Sequence, residues 1–158
     1  MSFKTSDLID EHPEARACEA QFLSFGKKRS FFGRIRTVSS FEDNALVREV
    51  VSQASAGEVL VIDAGASVRC ALVGDNVATL AMKNGWAGIV INGAVRDTAA
   101  LAEMAFAVKG LGTNPKRCGR AGFGQVDVPV AFGGVSFTPG EWLYGDEDGI
   151  ITSPQRLV

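Results

Sequence analysis

The chain has 158 residues, 46% hydrophobic and 22% charged, which suits one globular domain with a sizeable core and excludes a disordered polymer. A formal net charge of −2 excludes the broad basic face of a nucleic-acid binder; the one dense basic stretch, Lys27-Lys28-Arg29 with Arg34 and Arg36 following, reads as a solvated edge. The start Met1-Ser2-Phe3-Lys4-Thr5 lacks the apolar stretch of a secretion signal, and no apolar run approaches the roughly 18 residues of a membrane span, so a cytoplasmic location is expected.

In chain order, Thr5-Ser6-Asp7 before Leu8 and Ile9 predicts a capped helix start that Pro13 soon interrupts. Phe31 to Val38 is rich in β-branched and aromatic residues with Arg34 and Arg36 two apart, the pattern of a half-buried strand. Ser39-x-x-Glu42 resembles a capping box, after which Leu46, Val47, Val50, Val51 and Ala54 recur at helical spacing towards a stop at Gly57. Val59 to Ile62 and Ile89-Val90-Ile91 are continuous apolar runs and predict buried strands. Between them a helix opens at Asp75, with Val77, Leu80 and Ala81 on one face, and closes at Asn84-Gly85. A short helix from Thr98 to Met104 and a strand near Phe106-Ala107-Val108 complete a β-α-β-α-β middle, which predicts an α/β domain with a partly parallel sheet. Gly110 to Gly124 reads as a long glycine-rich loop. Val126 to Phe132, Val135 to Phe137, Trp142 to Tyr144 and Ile150-Ile151 read as short strands of a β-rich layer packed on the α/β core. One domain spanning residues 1–158 is expected, without an internal repeat.

Cys18, Cys70 and Cys118 are far apart and odd in number, which argues against a disulfide framework, and no Cys-x-x-Cys pair points to zinc or redox work. His12 is the only histidine and sits beside Pro13, which argues against hydrolases built on histidine. Lys83 and Lys109 are formal Schiff-base candidates, Lys83 on the expected exposed face of its helix. Asp146-Glu147-Asp148 before Gly149 reads as a turn rather than a metal site. Gly122-Phe123-Gly124 is not a dinucleotide fingerprint, and neither a phosphate-binding P-loop nor a glycine-rich adenosylmethionine loop is present.

Two segments carry better chemistry because each leads from the C-terminal end of a buried strand to a helix start, the usual place for a site in a parallel sheet. The first strand leads through Asp63 to Gly74-Asp75-Asn76; the second leads through Asn92-Gly93 to Arg96-Asp97. Free helix N–H groups and a guanidinium suit a carboxylate, and a neighbouring aspartate suits a hard cation. Asp75 and Asp97 fit equally as plain helix caps, with Arg96 as a structural partner of either.

An Asp followed after twenty residues by Arg-Asp, as in Asp75…Arg96-Asp97, resembles the signature of the 4-hydroxy-4-methyl-2-oxoglutarate aldolase family, which includes the regulators of ribonuclease activity A. Phe41-Glu42-Asp43-Asn44, Ser67-Val68-Arg69, Asn84-Gly85-Trp86-x-Gly88, Phe132-Gly133-Gly134-Val135 and Gly149-Ile150-Ile151 extend the likeness from about Thr5 to Pro154. The resemblance implies a layered β/β/α swivelling fold like that of phosphohistidine domains, assembled as a homotrimer. It implies a lyase dependent on a divalent metal, magnesium or else manganese, that cleaves 4-hydroxy-4-methyl-2-oxoglutarate to pyruvate and decarboxylates oxaloacetate. Asp97 would be the metal ligand and Arg96 would bind substrate. Gly74, Asp75, Asn76 and Val77 would offer backbone N–H groups to the substrate carboxylate, and Asp75 would hold a water for proton transfer. The alternative it implies is a regulator that docks on an RNA-degrading ribonuclease; the net charge of −2 suggests that such a role acts through protein contact, without holding RNA. Length matches the regulator branch, whereas Asp97 favours catalysis. The extra terminal acidic segments of the longer aldolases have no counterpart here.

Overall fold

Every residue of one strand, β6 (Gly88–Val95), is buried in the computed structural model, which describes residues 2–158. A strand covered on both faces needs apolar side chains on both, which is why Ile89-Val90-Ile91 runs without alternation. It pairs in parallel with β4 (Val59–Asp63) and with β7 (Ala107–Thr113), and β4 pairs in parallel with β3 (Phe31–Ser39). The crossovers are made by α2 (Ala45–Val51) between β3 and β4, by α3 (Asp75–Lys83) after the short β5 (Ala71–Val73), and by α4 (Thr98–Ala102) between β6 and β7.

These helices share one face of the sheet. Val47, Val50, Val51, Val77, Ala78, Ala81 and Leu101 pack there on Leu60, Ile62, Ile89 and Ile91. The opposite face, with Phe31, Ile35, Val61 and Val90, is covered by the hairpin of β9 (Val130–Phe132) and β10 (Val135–Phe137). Leu143 of β11 (Trp142–Asp146) and Ile150 of β12 (Gly149–Ser153) join that second layer. β11 runs antiparallel to β3, β12 to β11, and β1 (Arg16–Ala17) to β12; β2 (Leu23–Ser24) edges β7, and β8 (Gln125–Val126) edges β3. The main sheet has ten strands, and α1 (Thr5–Glu11) closes its far end against Tyr144 and Ile151. The expected layered α/β fold in a single domain is therefore present. No helix among the described residues is long and apolar enough to cross a membrane.

Several local expectations give way to tertiary contacts. Thr5 does not cap α1; its N–H and hydroxyl both donate to Asp146, each at 2.7 Å, and Lys4 holds the cap position. Asp146 in turn sits at the β11–β12 turn expected there. The Ser39-x-x-Glu42 capping box does not form. α2 starts only at Ala45, whose N–H donates to Asp43 Oδ1 at 3.0 Å, and it ends at Val51 rather than at Gly57. Val126 to Phe132 is broken into β8 and β9, and β7 extends through Thr113 into what reads as loop.

The cysteine expectation is overturned. Cys70 and Cys118, 48 residues apart, form a disulfide with their Cα atoms 5.0 Å apart, and Cys18 is the free thiol. A backbone bridge between Ala71 and Arg117 brings the two segments together, and sequence spacing carries no trace of it.

Candidate active site

β5 and β6 end side by side, with Val73 paired to Val95 and the Arg96 N–H donating to the Val73 carbonyl at 2.9 Å. That pairing sets Gly74, at the entry to α3, against Arg96-Asp97, at the entry to α4. Asp97 has φ 59° and ψ 41°, a left-handed backbone that aspartate tolerates better than most residues. It makes no side-chain cap to α4; its Oδ2 instead accepts the Asp75 backbone N–H at 3.2 Å. Asp75 lies in the first turn of α3 and makes no side-chain hydrogen bond to the helix start either. Reading both aspartates as caps of their own helices is thus not what the fold uses.

All six residues singled out from the sequence, Gly74, Asp75, Asn76, Val77, Arg96 and Asp97, line one cleft. The Arg96 Nε lies 4.0 Å from Asp97 Oδ2, and its Nη1 donates to the Pro115 carbonyl at 3.4 Å. Gly74 leaves the room that the Asp97 carboxylate occupies, since a Cβ there would lie 2.5 Å from Asp97 Oδ2 and 3.3 Å from Arg96 Cγ.

The cleft has a second wall that sequence reasoning missed: Asn44, Arg48, Arg117 and Arg120. Asn44 and Arg48 sit at i and i+4 around the start of α2, and Arg117 and Arg120 at i and i+3 in the loop after β7; those spacings are the only local signals. The loop is pinned by Asp43, whose carboxylate accepts the N–H groups of Ala121 at 2.7 Å and Gly122 at 3.0 Å. Burial pushes the Asp43 carboxyl up, but the N–H groups of Ala45, Gly122 and Ala121 outweigh it and hold it below the usual carboxylate range. Asn44 is 6% exposed, and its Oδ1 has no hydrogen-bond partner within the protein. A buried acceptor left open costs about 1–3 kcal/mol, and Asn44 carries that cost in the wall of the cleft. Four arginines against two aspartates leave the cleft positive, an arrangement for a multiply charged anion.

The remaining candidates lie elsewhere. His12 follows α1, with Nδ1 3.6 Å from Glu14. Lys83 is exposed, as expected. Lys109 is buried in β7 and donates to Ser24 Oγ at 3.2 Å; burial lowers its pKa, with Asp146 pulling the other way, but it does not reach the cleft. No group of three or more His, Cys, Asp and Glu side chains suited to a metal is gathered among the described residues. A magnesium site needs no such group, because magnesium retains water and takes one or two carboxylates plus substrate oxygens. The exposed Asp97 carboxylate fits that donor chemistry.

A family model described as RraA-like, Aldolase/RraA, matches residues 5–152. The chain belongs to the Aldolase/RraA family. A relative from Laribacter hongkongensis (strain HLHK9), provisionally named a 4-hydroxy-4-methyl-2-oxoglutarate aldolase, is 48% identical over the full length of both chains. Among Aldolase/RraA structures, the RNA-processing inhibitor RraA from Thermus thermophilis is 46% identical, with a TM-score of 0.96 over 100% of this chain and 96% of that one. A structure named as an S-adenosylmethionine:2-dimethylmenaquinone methyltransferase, from Geobacillus kaustophilus HTA426, is 43% identical, with a TM-score of 0.96 over 98% and 97%.

Proposed function

We propose that this member of the family is a divalent-metal-dependent carbon–carbon lyase acting on dianionic 2-oxo acids. Its reactions would be cleavage of 4-hydroxy-4-methyl-2-oxoglutarate to pyruvate and decarboxylation of oxaloacetate. The observation that carries the reading is the placement of Arg96 and Asp97 against the start of α3 in one cleft, with neither aspartate spent on its own helix. The name of the Laribacter hongkongensis relative supports the same reaction class.

The steps follow from the chain's own groups. Backbone N–H groups of Gly74, Asn76 and Val77 and the Arg96 guanidinium receive the substrate's 2-oxo carboxylate, the Asp75 N–H being already given to Asp97. The second carboxylate meets Arg48, Arg117 and Arg120. Breaking the C3–C4 bond leaves an electron pair that delocalises onto the keto oxygen as the pyruvate enolate, and Arg96 holds fixed positive charge beside it. Asp97 would hold magnesium, which when bound supplies Lewis-acid polarisation of the keto oxygen. With no histidine in the cleft, a water held by Asp75 carries the proton to and from the reacting carbon and hydroxyl.

Pyruvate release from both substrates, with magnesium and with chelator, tests the proposal. Turnover lost on chelation and on Asp97→Ala is the expected result. A second reading rests on the Thermus thermophilis relative named as an RNA-processing inhibitor: a protein-contact role on a ribonuclease. It predicts binding that is indifferent to Asp97. The methyltransferase name of the Geobacillus kaustophilus relative is not carried over, because an arginine-walled cleft offers adenosylmethionine, itself a cation, no favourable surface.

A further inference from the structure

We propose that Cys70 and Cys118 form a thiol–disulfide exchange site worked by a small anionic thiol, and that this site controls the arginine wall of the cleft. The first part stands on the groove around the bond. Each cysteine is only 5% exposed, yet both line a groove of about 290 Å3 together with Glu42, Arg69, Lys116 and Arg117. Three cations against one carboxylate make this approach positive. A thiol carrying carboxylates is drawn in by that charge, and a cysteine thiolate leaving the bond is stabilised by it.

The second part rests on the lyase reading of the neighbouring cleft. Arg117 borders both cavities and directly precedes Cys118. The Ala71 N–H donates to the Lys116 carbonyl at 2.8 Å, and the Cys118 N–H donates to the Ala71 carbonyl at 3.3 Å. The disulfide is the covalent tie among these contacts, so opening it loosens the segment that presents Arg117 and Arg120.

The exchange balances. A thiolate attacks one cysteine sulfur, the S–S bond breaks, and a mixed disulfide forms while the other cysteine departs as a thiolate and takes a proton from solvent. A second thiolate attacks the small thiol's sulfur in that mixed disulfide and releases the second cysteine. Two thiols thus supply two electrons and leave as their own disulfide. The reverse direction uses that small disulfide as oxidant.

The test treats the intact protein with glutathione, 2-mercaptoethanol or cysteamine, which are anionic, neutral and cationic thiols. Each rate is divided by that thiol's rate on a small symmetrical disulfide. After acid quench and alkylation under denaturing conditions, intact mass reads one label on Cys18 with the bond closed and three with it open. Normalised rates should favour glutathione over cysteamine by about tenfold, and Lys116→Glu should reduce that preference severalfold. Incubating the reduced protein with glutathione disulfide should restore the one-label form. Rates indifferent to thiol charge, or a reduced pair that glutathione disulfide fails to close, would overturn the proposal. Opening the bond should raise KM for oxaloacetate severalfold with a smaller change in kcat, and an unchanged KM would overturn the control role. Exchange as expected in a protein with no lyase activity in either state would sink the lyase reading and leave the exchange site standing.

Discussion

A side chain on Gly74 would place its Cβ 2.5 Å from the carboxylate of Asp97. The residue that opens α3 therefore sets the room available to the carboxylate that opens α4, and the two helix starts work as one unit. Gly74→Ala should push Asp97 off the Asp75 N–H and lower magnesium affinity by about tenfold or more, the usual cost of disturbing what orients a ligand. Calorimetric magnesium titration checks this. Thermal unfolding should shift by only a few degrees, because φ at Gly74 is −137° and open to any residue.

The arginine wall should act on the distal carboxylate. Arg120→Ala should raise KM for oxaloacetate by roughly 10-fold to 100-fold, the range for losing one charge-assisted hydrogen bond. Inhibition by pyruvate, which has no second carboxylate, should change about threefold at most. Steady-state kinetics with pyruvate as inhibitor separates the two.

Acid stability should follow Asp43 and Asp146. Burial pushes both carboxyls up, but N–H donors, and for Asp146 also the Thr5 hydroxyl, prevail and hold both below the usual range. An unfolded aspartate titrates near pH 4, so the unfolded chain takes up protons first as the solution is acidified. The stabilisation from each is complete above the unfolded value and fades as pH falls through the depressed native value. Asp43→Asn should cost about 1–3 kcal/mol at neutral pH and flatten the acid limb of a denaturation series.

Much of this architecture was legible in residue patterns. Val59 to Ile62 and Ile89 to Ile91 announced a buried parallel sheet because a strand covered on both faces cannot alternate. That Asp75 and Arg96-Asp97 share one cleft was legible because they follow strand ends and match a recognisable spaced motif. Other features depend on pairings distant in sequence. The start of α2 slipped to Ala45 because Asp43 was captured by Ala121 and Gly122 across the fold, which no capping pattern records. Arg117, Arg120 and the Cys70–Cys118 bond reach the site through the Ala71–Arg117 bridge, a contact 46 positions apart in the numbering.

Reducing that bond should also lower stability. Closing a 48-residue separation restricts the unfolded chain by roughly 4 kcal/mol on the chain-entropy account. Urea unfolding of the oxidised and reduced protein, compared at equal pH, should show the midpoint falling on reduction.

The most direct measurement is pyruvate release from oxaloacetate and 4-hydroxy-4-methyl-2-oxoglutarate by wild type and Asp97→Ala, with magnesium and with chelator. Magnesium-dependent turnover in the wild type, lost in Asp97→Ala while the variant unfolds at the wild-type temperature, is the predicted result. Wild-type turnover no faster than magnesium alone, or full turnover in Asp97→Ala, would contradict it.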